Sequence, residues 1–152
     1  MYKKLLVPVD GGELTDRAMT QSIALARQLG ASITAFVVEP DMPLPNVGTR
    51  PVAYHRQMDV HETRTDTHAL DVLSQFGEMA RAAGVEFSGR HARTDEVDRA
   101  IARAALDLEC DMIVMATHGR SGFLRLLMGS VAEAVVRRAN CPVLTYKRQV
   151  KK

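Results

Sequence analysis

The sequence predicts an α/β fold, a doubly wound parallel sheet of five strands with four helices, on three observations. Short apolar runs rich in β-branched residues alternate with longer stretches of helical periodicity. Strands that alternate with helices are joined by crossovers, which make the sheet parallel and cover both its faces. The chain of 152 residues, 46% apolar and 25% charged, suits one domain, residues 1–152, with one sizeable core.

The elements follow in order. KLLVPV, residues 4–9, reads as the first strand. Ala18, Ser22, Leu25, Ala26 and Leu29 then share one helical stripe that stops at Gly30, a natural C-cap. SITAFVV, residues 32–38, is the second strand. Residues 40–54, PDMPLPNVGTRPVAY, hold four of the six prolines and predict a long irregular loop. The loop leaves from the carboxyl edge of the sheet, where ligands of such folds bind, so it either covers a site or runs idle over the surface.

Leu70, Leu73, Phe76, Ala80 and Ala83 make the second helical stripe, ended by Gly84. VEFSGRHA, residues 85–92, puts Val85, Phe87 and Gly89 on one face with polar residues between, as an exposed edge strand would. Val97, Ile101, Ala104 and Leu108 form the third helix, with Asp95 placed to cap it. DMIVMA, residues 111–116, is the fourth strand. Ser130 and Glu133 form an S-x-x-E capping box that starts the fourth helix, which runs through Val131 and Val135 to Arg138 and Ala139. PVLTYK, residues 142–147, is the fifth strand.

Twenty basic and eighteen acidic residues are interleaved, for a formal charge of +2, so no basic block marks a nucleic-acid or membrane surface. No apolar run approaches the roughly 20 residues that span a bilayer, and MYKKLLVPVD turns polar too soon for a signal peptide, which predicts a cytoplasmic protein. Cys110 and Cys141 lack CxxC or metal-ligand spacing and read as buried thiols. The eight methionines read as core filler.

Between the fourth strand and fourth helix lies ATHGRSGFLRLLMGSVAE, residues 116–133, with glycines at 119, 122 and 129. A helix start after a glycine-rich turn offers free amides and the positive end of a helix dipole to an anion, and Arg120 and Arg125 could add charge. The turn alone does not decide, because the glycines could merely permit turns and Ser130 merely cap. Neither the P-loop G-x-x-x-x-G-K-[ST] nor the dinucleotide G-x-G-x-x-G occurs.

The stretch resembles the universal stress protein family, whose nucleotide-binding members carry G-x2-G-x9-G-[ST] here; this chain reads A-TH-G-RSGFLRLLM-G-S. The resemblance extends through KKLLVPVDGGELTDRA, AFVVEP, DMIVMATHGRSG and CPVLTYK. It implies the strand order 3-2-1-4-5 of the adenine nucleotide alpha hydrolase-like fold, and a stress-response switch that holds ATP with Mg or Mn and hydrolyses it slowly at most. It implies that Asp10 sits with adenine and ribose, next to Pro8 and Val9, and that Val37 offers backbone hydrogen bonds to the adenine edge. Gly119, Gly129 and Ser130 match the positions that hold ribose and phosphates, with Met115, Ala116, Arg120 and Val131 alongside. Family members commonly pair their fifth strands, which implies a homodimer through residues 142–147. Some members lack the motif and serve as dimeric interaction modules without nucleotide.

One departure stands out: Ala116 occupies the motif's first glycine. A position requiring φ > 0 would strain the alanine, whereas one where glycine only leaves room would accept it.

No dedicated catalytic residue is identified. His118 has no carboxylate partner nearby in sequence and reads as shaping the turn. His55, His61 and His68 share a helical region with Asp59, Glu62 and Asp66, but without H-E-x-x-H spacing they read as a solvated face. Ser121 and Ser130 lack a nucleophile elbow. A response-regulator reading of Asp10 fails because the third strand ends in GRHART where a phosphoacceptor aspartate would stand. A flavodoxin-like reading fails because VDGGELTD makes a poor phosphate loop.

Overall fold

In a computed structural model, residues 1–117 and 130–147 are described. The elements run β1 (Lys4–Val9), α1 (Thr15–Leu29), β2 (Ser32–Glu39), α2 (Pro51–Ala82), β3 (Phe87–Arg93), α3 (Val97–Asp107), β4 (Met112–Thr117), α4 (Ser130–Arg138) and β5 (Val143–Lys147). The five strands form one parallel sheet in the order β3-β2-β1-β4-β5, with Lys4–Val9 registered on residues 32–37. The direction of winding reverses between β1 and β4, which leaves a crevice outside their carboxyl ends.

Alternation along the strands sorts the core into two layers. Leu5, Val7, Val9, Ile33, Ala35, Val37 and Val114 face Met19 and Ile23 of α1 and Val72, Leu73 and Phe76 of α2. Leu6, Phe36, Ile113 and Met115 face Ile101 and Ala105 of α3 and Ala132 and Val135 of α4. Strands covered on both sides read as unbroken apolar runs, which is why β1, β2 and β4 were legible. β3 is an edge strand with mostly polar or half-buried side chains, as its alternation predicts.

Three local expectations are corrected. The loop expected over residues 40–54 ends at Arg50, and 51–54 already belong to α2, a helix of 32 residues. Pro51 takes a first-turn position, where its missing N–H has no helical partner to lose. Residues 51–64 bury nothing and so show no apolar stripe; the helix propagates there from the packed half beginning at Thr65. His61 Nε2 bonds to Pro40 O at 2.9 Å, tying the projecting turns to the loop.

Leu70 is 58% exposed, because the buried stripe runs through Ala69, Val72, Leu73, Phe76 and Ala80. Asp95 does not cap α3. Glu96 is the N-cap, Thr94 Oγ1 accepts its N–H at 3.1 Å, and Asp95 Oδ1 instead accepts the Asp41 N–H at 3.0 Å. Sequence spacing located the helix start but not the partner that tertiary contact offered Asp95.

Among the described residues no helix is long and apolar enough to cross a membrane. Cys110 is buried and Cys141 half-buried. Burial pushes the Cys110 thiol up to about 11 and raises Cys141 in the same direction.

Candidate functional site

The carboxyl ends of β1 and β4 and the start of α4 enclose an open cleft of about 420 Å³. β1 contributes Pro8 and Val9, followed by Asp10; β4 contributes Met115, Ala116 and Thr117; α4 contributes Ser130, Val131 and Ala132. Leu14, Thr15 and Ala18 close one side, and Phe36 and Val38 of β2 with Val97 and Ile101 of α3 close the other. The lining is largely apolar with a few polar groups converging on it, the usual make-up of a small-molecule site.

The polar groups arrive for distinct local reasons. Asp10 ends β1, and its Oδ1 accepts the Gly12 N–H at 2.8 Å and the Thr15 hydroxyl at 3.3 Å. Those bonds build the turn into α1, whose Thr15 N–H donates to Gly12 O at 3.1 Å. Gly11 carries φ +79, a left-handed backbone that side chains resist, so the turn needs glycine there. Ser130 opens α4, where helix-start amides lack helical acceptors.

Thr117 is 3% exposed, and its Oγ1 is buried with no hydrogen-bond partner among the described residues. A hydroxyl left so costs about 1–3 kcal/mol, and a ligand oxygen in the cleft would recover it. Thr117 escaped the sequence reading, although a hydroxyl ending an apolar strand run was a signal available to it.

Of the residues singled out from sequence, Pro8, Val9, Asp10, Met115, Ala116, Ser130 and Val131 all line this cleft. Val37 does not. Its side chain is fully buried in the layer beneath α1 and α2, so any part it takes runs through its backbone, between Phe36 and Val38, which do line the cleft. Gly119, Arg120 and Gly129, like His118, Ser121 and Arg125, lie outside the described residues.

Ala116 sits within β4 and is not among the positive-φ residues. Its backbone therefore makes no demand for glycine, and the methyl only occupies room. No residue of 40–50 lines the cleft; Met42 instead shares a groove with Ala53, Arg56 and Val60 of α2. Phe36, Val38, Val97 and Ile101 were missed because walls that meet only in three dimensions leave no local pattern. Among the described residues no group of three or more His, Cys, Asp or Glu side chains is placed to hold a metal.

A doubly wound α/β protein with an open cleft at its switch point is the class that fold and site define. Residues 1–147 match the universal stress protein family, and the chain belongs to it. A universal stress protein of Methanocaldococcus jannaschii is 28% identical over 99% of this chain and 85% of its own. A solved universal stress protein from Burkholderia pseudomallei is 27% identical, with a TM-score of 0.71 over 95% of this chain and 96% of its own. The structure of the hypothetical protein MJ0577 superposes with a TM-score of 0.79 over 99% of both chains at 22% identity.

Two further solved relatives carry nucleotides. The universal stress protein of Archaeoglobus fulgidus was solved in complex with dAMP; it is 23% identical, with a TM-score of 0.58 over 95% of this chain and 97% of its own. A family protein of Arabidopsis thaliana was solved with AMP bound; it is 18% identical, with a TM-score of 0.66 over 97% of this chain and 93% of its own.

Proposed function

We propose that this protein binds an adenine nucleotide, ATP together with Mg or Mn, in the cleft at the carboxyl edge of the sheet and works as a stress-response switch. The observation that carries this reading is the convergence of Asp10, Thr117 and Ser130, from three elements distant in sequence, on one largely apolar cleft. The apolar walls suit a base. Asp10 Oδ1 is engaged in its own turn, and the carboxylate's other oxygen suits a ribose hydroxyl. The start of α4 suits phosphate, and the Thr117 hydroxyl suits any oxygen that seats beside it. The AMP and dAMP held by solved relatives support the same ligand class. The divalent ion would be held by the phosphates of the nucleotide.

Calorimetric titration of nucleotide-stripped protein with ATP and magnesium tests the reading. Wild type is expected to bind. Asp10→Ala should weaken binding about ten- to a hundredfold through loss of a charged acceptor. Thr117→Val keeps the shape and removes the hydroxyl, so affinity should fall about two- to tenfold while the apo melting temperature does not drop. Ala116→Gly should bind at least as tightly as wild type. No heat from wild type or Ala116→Gly at millimolar ATP would overturn the reading and leave a nucleotide-free dimeric interaction module in its place.

A further inference from the structure

On the α2 side of the sheet, behind the Asp10 turn, stands a pair of side chains outside the cleft lining. Glu39 ends β2 with its side chain 11% exposed, and His68 comes from the packed half of α2. His68 Nδ1–H donates to Glu39 Oε1 at 2.5 Å. That bond fixes the imidazole and turns its opposite edge toward Gly11. A Cβ built on Gly11 would lie 2.5 Å from His68 Nε2, and 3.0 Å from both its Cε1 and Val72 Cγ2. The ring and Val72 thus occupy the space directly behind the turn.

The next links are equally short. Gly11 lies between Asp10 and Gly12, whose N–H donates to Asp10 Oδ1 at 2.8 Å. A displacement of Gly11 therefore moves the carboxylate and its turn together. The His68 side chain is 46% exposed, so the coupling runs through its two held edges, Nδ1 on Glu39 and Nε2 against Gly11, where atoms already in contact pass a shift of the ring to the turn.

We infer that Glu39 and His68 are a positioning pair: Glu39 orients the His68 ring, the ring sets where Gly11 rests, and the turn thereby aims Asp10 into the cleft. This inference rests on the nucleotide reading of the cleft, since aiming Asp10 matters only if Asp10 meets a ligand. Neither residue lines the cleft. The pair lies on the face of the sheet opposite Phe36 and Met115, so it acts from behind.

AMP titrations, with the Gly12 amide proton followed by NMR in the ligand-free protein, test it. His68→Ala and Glu39→Ala should each weaken AMP binding about tenfold and shift the Gly12 amide upfield as its bond to Asp10 loosens. Glu39→Gln, which keeps an acceptor of the same size, should stay close to wild type. In an Asp10→Ala background the His68→Ala effect should vanish, a result that mere loosening of the fold would not produce. An equal loss in both backgrounds, or unchanged affinity and amide shift in His68→Ala, overturns the positioning role. Should wild type bind neither AMP nor ATP, the nucleotide reading falls. The Gly12 amide then decides alone: unmoved in His68→Ala it overturns the pair's control of the turn, and moved it supports it.

Discussion

Glycine at position 11 meets two demands of different origin. Its φ of +79 costs any side chain about 1–2 kcal/mol, and a Cβ there would also press on His68 and Val72. Gly11→Ala should therefore lower stability by about 2–4 kcal/mol in urea denaturation, the backbone part plus overpacking. In a His68→Ala background much of the contact vanishes, and the loss should shrink toward the backbone part of about 1–2 kcal/mol. Equal losses in both backgrounds would mean the ring does not press on the turn. Ala116 shows the opposite case: a motif glycine replaced where the backbone never required one. Cys110 is held neutral by burial, so at physiological pH it is a core side chain with little thiolate character.

Among the elements, α2 shows how tertiary anchoring extends a helix beyond its apolar stripe. Arg93 of β3 donates from Nη2 to Asp66 at 2.7 Å and to Thr65 Oγ1 at 3.0 Å, and with His68 bonded to Glu39 these contacts pin α2 where its burial begins. On the other face α3 and α4 are tied by Arg138 Nε donating to Asp98 Oδ2 at 2.6 Å. That hydrogen bond, with the guanidinium charge behind it, holds the Asp98 carboxyl below its ordinary range. A carboxyl whose folded pKa is depressed adds stability above its unfolded pKa and loses it as pH falls through the folded one. Asp111 behaves alike, because its Oδ2 accepts the N–H groups of Lys3 at 2.7 Å and Lys4 at 2.8 Å. Thermal melts taken down through the carboxylate range should show stability falling, and Asp98→Asn should remove part of that slope. An unchanged slope in Asp98→Asn would leave the α3–α4 tie without a role in acid sensitivity.

For the whole molecule, assembly turns on β5. It is the last strand of the sheet, paired on one side with β4, and Leu144 is 36% exposed on it. An unpaired edge with an apolar side chain is a surface that proteins cover. We propose that two copies pair through β5, as the sequence resemblance implies. Sedimentation at micromolar concentration should report a dimer for wild type and a shift toward monomer for Leu144→Pro, which removes a backbone donor and bends the edge. A monomeric wild type would end the proposal.

Strand and helix content, their order and the parallel sheet follow from the sequence alone, because strands buried on both faces must be continuously apolar and amphipathic helices must repeat at their own period. Asp10 and the helix start at Ser130 were legible for a related reason: strand ends and helix starts are local events, and in a doubly wound fold they converge at the switch point, whereas Pro8, Val9, Met115, Ala116 and Val131 came only with the family resemblance. Tertiary structure decided the rest. The projecting turns of α2 carry no apolar stripe, and Asp95 could bond to its own helix or to Asp41 with equal local plausibility. His68 reads in sequence as part of a solvated helix face, and its side chain is indeed 46% exposed, but its contacts with Glu39 and Gly11, both far off in sequence, exist only in the folded chain. Periodicity encodes which face of an element is buried; which partner waits there depends on packing between elements, and no local pattern records it.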